Sequence, residues 1–333
     1  MRTIGIDVSK AHLDVALLDQ QEGFLDEVSI TNEPAALIKL IRRWLKNERC
    51  RPDTIVCIEP TGHYSFSAIK ALLEEGVPVW LAHPADIQSS IGLQRGKSDQ
   101  VDARRIAQYA LRFRDKAQLL DDHFLRLQEL KDLLSLREQY VRQRAAIRVQ
   151  QGDYLNAIQG RAKTCFKRAA RELTASLERA IQSVEKSIEE FMASVPELNA
   201  KRELAMTVTG VGPVLASELL AITRGFTRFD DHRQLVCYAG LAPYPYRSGT
   251  SVHGPTAVSH KANKRIKTLV HMAALNAIRL PGDLQSYYRR KREQGKPAMS
   301  ALNAVRAKII RHLWAVMTSG QPYTPFKADL QMP

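Results

Sequence analysis

The sequence predicts an α/β region followed by an all-α remainder. Three observations predict it. Short apolar runs alternate with helix-period segments over residues 1–118. Residues 120–198 contain one proline, Pro196, and carry leucines at helical spacing. Beyond residue 201 the helical period returns. The expected boundaries are therefore 1–118, 119–200 and 201–333, in a 333-residue chain whose 44% apolar content fills about two cores.

In chain order, TIGIDVSKAHLDVALLD reads as an apolar strand, a polar turn at Ser9–His12 and a second apolar strand, a hairpin. AALIKLIRRWLKN has helical periodicity, TIVCIEP is a buried strand stopped by Pro60, and FSAIKALLEEG is a helix closed by Gly76. VPVWLAHP is a further short strand, followed by a polar loop. SDQVDARRIAQYALRF then starts with a Ser/Asp cap and continues as a helix. The leucines from 125 to 136 mark one long helix. Leu173, Leu177, Ile181, Val184 and Ile188 mark a second, at coiled-coil spacing. Gly152 and Gly160 bracket the turn between them, giving an antiparallel helical arm. TVTGVGPVLASELLA (207–221) has the pattern of a helix-hairpin-helix. Gly210 and Gly212 would let backbone N–H groups approach a phosphate at a helix start, although a plain packing turn gives the same pattern.

The net charge of +14 is unevenly placed. Residues 1–116 hold 16 basic and 16 acidic side chains, whereas residues 247–312 hold 14 basic and 2 acidic ones. With so few acidic partners, intramolecular pairing leaves most of that charge free for a polyanion. Apolar runs are too short for a membrane span or a secretory leader. Four cysteines without a C-x-x-C pair argue against zinc ribbons and disulfides, so a reduced cytoplasmic setting is expected.

Four carboxylates stand out. Asp7 lies within an apolar strand, where a lone charge costs several kcal/mol unless compensated. Glu59 ends the next apolar strand, at the edge where α/β sheets present their sites. Asp99 and Asp102 open a helix and share a face; capping and macrodipole compensation would explain that pair alone. Together the four favour a Mg²⁺ or Mn²⁺ site with oxygen ligands. Two such ions could assist phosphodiester cleavage.

IGIDVSK, CIEPTGHY and KSDQVDARRIA resemble the RuvC-like (RNase H fold) domain of DEDD transposases of the insertion-sequence 110 family, relatives of the Piv DNA invertases. VTGVGPVLASELLA, YAGLAPYPYRSGTSVHG and SHKANKRIKTLVHMAAL resemble that family's C-terminal transposase domain. The likeness runs in order through nearly the whole chain. It implies a catalytic tetrad of Asp7, Glu59, Asp99 and Asp102, and a nucleophilic Ser248 in the Tyr246–Gly249 turn. The residues alone leave Tyr246, Thr250 and Ser251 as rival hydroxyls. Arg247, Lys261, Lys264, Arg265 and Lys267 are placed to hold phosphate, and Arg289, Arg290, Lys291 and Arg292 form a second basic cluster beside two tyrosines.

The resemblance implies a DNA recombinase of an insertion sequence that works through a transient phosphoserine linkage. It further implies donor and target DNA, a structured guide (bridge) RNA and a homotetramer as partners, in a nucleoid-associated, membrane-free setting. Two other functions use the same residues. One is a metal-only nuclease of the Holliday-junction resolvase type; the other is a non-catalytic nucleic-acid-binding regulator.

Overall fold

A computed structural model describes residues 1–45, 53–91, 99–248, 252–258 and 262–325. The chain divides into two compact units, Met1–Arg126 and Leu127–Pro333.

The first unit is built on a five-stranded mixed sheet. Strands β1 (Arg2–Val8), β2 (His12–Asp19) and β3 (Gly23–Thr31) form a meander. β4 (Thr54–Ile58) and β5 (Val79–Leu81) add in parallel on the far side of β1. The order is β3-β2-β1-β4-β5, with β2 the one reversed strand. Five strands in this order and direction are the α/β arrangement expected of the RNase H fold.

Strand alternation sorts the two faces. Ile4, Ile6 and Val8 join Leu13, Val15 and Leu17 in a core closed by α1 (Pro34–Trp44) and α2 (Phe66–Glu74). On the opposite face, Ile55, Cys57 and Trp80 pack with Ile87 of α3 (Pro84–Ile91) and with Ile106 and Ala110 of α4 (Asp99–Arg112). The sheet is thus a buried middle layer. The sequence reading assigns no element to β3 and reads a polar loop at α3.

The second unit is helical. α5 (Asp122–Ala157), which starts in the first unit, and α6 (Gly160–Ser194) run antiparallel. Arg137 bonds Glu185 at 2.7 Å and Arg148 bonds Glu178 at 2.8 Å, so residue numbers rise along one helix as they fall along the other. Gly160, at φ +60°, makes the turn, while Gly152 lies inside α5. Leu127, Leu130 and Leu134 pack on Val184, Ile188 and Met192, and Leu220 of α8 (Pro213–Thr223) joins them. α7 (Pro196–Met206), α9 (His232–Tyr238), α10 (Lys264–Ala277), α11 (Asp283–Glu293) and α12 (Ala298–Ser319) complete a bundle with α8. One two-stranded ribbon, β6 (Pro243–Ser248) with β7 (Val252–Val258), interrupts it. No helix among the described residues is long and apolar enough to cross a membrane.

Candidate functional site

The sheet positions its carboxylates through register. Asp7 of β1 pairs directly with Asp14 of β2, as Gly5 pairs with Ala16 on one side and with Cys57 of β4 on the other. Continuing β4 by one residue beyond Ile58, the partner of Ile6, brings Glu59 alongside Asp7, and its amide donates to the Ile6 carbonyl at 3.4 Å. Thr61 fixes this edge by donating from its hydroxyl to the Val8 carbonyl at 2.7 Å. Three carboxylate positions therefore cross three adjacent strands on one face. That face is the one covered by α4, because Thr3 Oγ1 donates to the Ala107 carbonyl at 2.9 Å and Gly5 lies against Ala103. Asp99 and Asp102 occupy the first turn of α4. Asp102 accepts from Arg105 at 2.8 Å, and Arg104 anchors the helix to Glu27 of β3. The side chain of Asp99 lies outside the described residues. Cys57, beneath the same helix, is fully buried, and that burial pushes its thiol far above the usual range, so it is an inert packing group.

In the second unit, the backbone of Ser248 ends β6 opposite Val252, and Arg247 pairs with His253. The side chains of Arg247 and Ser248, and the whole of Lys261, lie outside the described residues. Lys264 is exposed at the start of α10 and Lys267 is half-buried one turn on. Arg265 is turned inward instead. It bonds Glu218 of α8 at 3.1 Å and Glu138 of α5 at 2.6 Å, and its side chain is 16% exposed. Burial raises the Glu218 carboxyl, and Arg265 opposes that shift. Gly210, at φ +88°, serves a close approach: a β-carbon there would lie 2.4 Å from the Ala273 carbonyl of α10. At Gly212, by contrast, a β-carbon would meet open space. Arg289, Arg290 and Arg292 are exposed on α11, with Lys291 half-buried among them. Tyr287 gathers cations around its ring, with Lys308 at 4.7 Å and Arg290 at 5.4 Å from the centroid.

A DEDD transposase family model of the insertion-sequence 110 type, described as "Transposase", matches residues 4–159, and one described as "Transposase IS116/IS110/IS902 family" matches residues 202–289. The chain belongs to the IS110 family of transposases. This transposase is 25% identical to the "Pilin gene-inverting protein" of Moraxella lacunata, over 96% of its own length and 97% of the relative's. It is 24% identical to the "Insertion element IS116 uncharacterized 44.8 kDa protein" of Streptomyces clavuligerus, over 97% and 96% of the two chains. Among solved structures, it is similar to a chain of "T. thermophilus RuvC in complex with Holliday junction substrate". That match has 18% identity and a TM-score of 0.27, covering 36% of the transposase and 99% of that chain.

The acids that the transposase places on the α4-covered face, Asp7, Glu59 and Asp102, are oxygen donors, the ligand type that suits a hard divalent cation. Among the described residues, no three His, Cys, Asp or Glu side chains close on one point as an ion would require. The β1–β4 register sets Asp7 and Glu59 side by side, and Asp99 and Asp102 lie in the first turn of α4. A further acid on this face, Asp14, is one that the sequence reading did not single out. Its signal was the same as that of Asp7, an acid inside an apolar strand, but only the β1–β2 register puts the two side by side. Asp14 is 7% exposed.

Proposed function

We propose that this transposase cuts and rejoins DNA through a serine–phosphodiester intermediate, guided by an RNA encoded by its element and working as a tetramer. The observation that carries the reading is membership of the transposase family across both units, joined to a sheet edge where Asp7 and Glu59 lie under the start of α4.

The chemistry assigned to this chain is a transesterification. Ser248 Oγ loses its proton to a base and bonds to a DNA phosphorus, while the bond from that phosphorus to a deoxyribose oxygen breaks and the oxygen leaves protonated as a hydroxyl. A hydroxyl of the exchanged strand then attacks the phosphoserine, and Ser248 recovers its proton. Each bond broken is replaced by one formed, so no external energy source is needed. Asp7, Glu59, Asp99 and Asp102 would hold Mg²⁺ or Mn²⁺, which when bound neutralises charge on the phosphate and polarises the reacting oxygens. The IS110 resemblance further suggests that the tetrad of one subunit meets Ser248 of another.

The charge distribution supports a division of labour with RNA. A segment with 14 basic and 2 acidic side chains holds backbones whatever their sequence, and base pairing with a guide would read the sequence itself.

The test is a suicide DNA substrate resolved on a denaturing gel. The wild type should leave a protein–DNA adduct, Ser248→Ala none, and Asp7→Asn should cut nothing. Full cutting by Ser248→Ala would move the reading to a metal-only nuclease. Unchanged DNA processing by Asp7→Asn would make the chain a binding protein.

A further inference from the structure

The helical bundle of the second unit holds a cleft of about 690 Å³, lined by α11, α12 and the chain that follows α12. That size falls within the range of small-ligand sites, about 300–1,000 Å³. Its third wall is held by named bonds. The Tyr323 amide donates to Thr207 Oγ1 at 2.9 Å, and the Tyr323 hydroxyl donates to Asp283 Oδ1 at 2.5 Å. The other oxygen of Asp283 lies 3.4 Å from Lys308 Nζ and 3.4 Å from His312 Nε2. The rings of Tyr323 and His312 are 4.8 Å apart between centroids. Asp283 is mostly buried, with 12% of its side chain exposed, so residue 323 is fastened to α11 at a sheltered point.

The lining mixes two kinds of group. Tyr287 supplies an aromatic ring, with Lys308 Nζ at 4.7 Å and the Arg290 guanidinium at 5.4 Å from its centroid. Arg290 and Lys308 bring positive charge, and Asp283 brings one negative charge. A bare phosphate would be attracted by the two cations but repelled by Asp283, and it would leave the ring unused. A wholly apolar ligand would strip water from the cations without replacing it. A nucleotide carries both parts: a base that stacks on a ring and a phosphate that cations hold. Within a duplex both faces of a base are covered by its neighbours, so the nucleotide that reaches the ring is an unpaired one. The cleft also lies mainly on the segment where 14 basic side chains face 2 acidic ones, residues 247–312.

We propose that this cleft takes one unpaired nucleotide of a nucleic-acid strand, with Tyr287 against the base and Arg290 and Lys308 on its phosphates. Asp283 and Tyr323 act on the strand indirectly, by holding the wall that gives the cleft its shape. The proposal takes its class of ligand from the DNA-processing reading above. The adduct assay with Ser248→Ala tests that reading on a residue outside the cleft, so the two can fail separately.

The test uses the full-length protein with single strands of DNA and of RNA that carry iodouracil. Anisotropy gives affinity, and mass spectrometry after irradiation gives the crosslinked residue. The wild type should crosslink at Tyr287, His312 or Tyr323, and the strand type that does so identifies the source of the nucleotide. Tyr287→Ala should bind that strand about 10-fold more weakly, the scale of one lost base–ring stack. Tyr287→Phe keeps the ring and should bind as the wild type does. Neither change alters charge, so duplex affinity and the salt slope should stay at wild-type values in both. Wild-type single-strand affinity in Tyr287→Ala overturns the proposal, and so does an equal loss for duplex and single strand. Crosslinks confined to residues outside the cleft overturn it too, and that readout needs no variant to fold. Adenosine monophosphate bound as tightly as the strand would make the cleft a small-molecule site and overturn the proposal as well.

Discussion

Gly5 lies directly beneath Ala103: a β-carbon built on it would sit 2.2 Å from the Ala103 carbonyl oxygen and 2.4 Å from the Ala107 amide nitrogen. Both contacts are with backbone, so α4 cannot yield by turning a side chain. The helix that carries Asp99 and Asp102 therefore reaches β1, two residues from Asp7, because position 5 has no side chain. Gly5→Ala should lift α4 from the sheet, breaking the bond from Thr3 Oγ1 to Ala107 and opening the core around Ile106 and Ala110. Overpacking of this kind costs about 1–3 kcal/mol. The expected result is a lower Tm together with loss of DNA cutting, measured by calorimetry and by a cleavage assay on protein shown to be folded. Wild-type cutting by Gly5→Ala would mean that the helix start need not be held at this distance from Asp7.

Arg265 should behave as a structural residue despite its place in the basic segment. Its guanidinium joins α10 to Glu218 of α8 and Glu138 of α5, with all three side chains mostly buried. Removing one partner of such a network leaves uncompensated charge and costs about 3–5 kcal/mol. Arg265→Ala should therefore unfold at markedly lower denaturant, while at temperatures where it is folded the salt dependence of nucleic-acid binding stays at the wild-type slope. A changed slope with unchanged stability would reverse the assignment.

Two histidines set an acid limit on the second unit. Burial, reinforced by Arg306, lowers His271. Burial also lowers His312, and Asp283 opposes that shift without cancelling it. Both folded-state values lie below the ordinary histidine value of 6.5, so the unfolded chain takes up protons first as pH falls. Stability is thus fully present above about pH 6.5 and declines as the pH drops through that value toward the folded-state values. Melting curves from pH 8 to pH 5 should show Tm falling on the acid side. A His271→Gln, His312→Gln variant should show a smaller fall over the same interval, and an equal fall would place the effect on other groups.

The elements that could be read from the sequence were those whose signal is local. Ile4, Ile6 and Val8 alternate cleanly with the residues of the opposite face, Pro60 and Gly76 punctuate β4 and α2, and the leucines of α5 repeat at helical spacing. β3 was missed because it is the outermost strand of the sheet and half-exposed, with acids at 26 and 27, so its alternation is diluted. β6 and β7 were missed because Pro243, Pro245, Gly254 and Pro255 read as breakers. An isolated two-stranded ribbon tolerates them, since its outer edges need no ladder donors.

At the site, the difference lies between residue type and pairing. Asp7 and Glu59 announce themselves as acids in apolar strands. Asp14 does so equally, but its place beside Asp7 depends on a cross-strand register that composition does not contain. Arg265 shows the converse. A basic run suggests phosphate contacts, and only the positions of Glu138 and Glu218, respectively 127 and 47 residues earlier in the chain, turn it into a core ion pair.

The exposed cations of α11 give the quantitative test of the electrostatic argument. Arg289, Arg290 and Arg292 project into solvent, and Tyr287 beside them offers a ring already flanked by Arg290 and Lys308. If each arginine neutralises one phosphate of duplex DNA, each contributes about 0.9 to the slope of log affinity against log salt. Replacing all three with glutamine should flatten that slope by about 2.7 and weaken binding evenly across DNA sequences, because backbone contacts carry no base information. Fluorescence anisotropy over 50–300 mM salt measures the slope. An unchanged slope would place the phosphate contacts elsewhere in the basic segment, with Lys264 the next exposed cation to test.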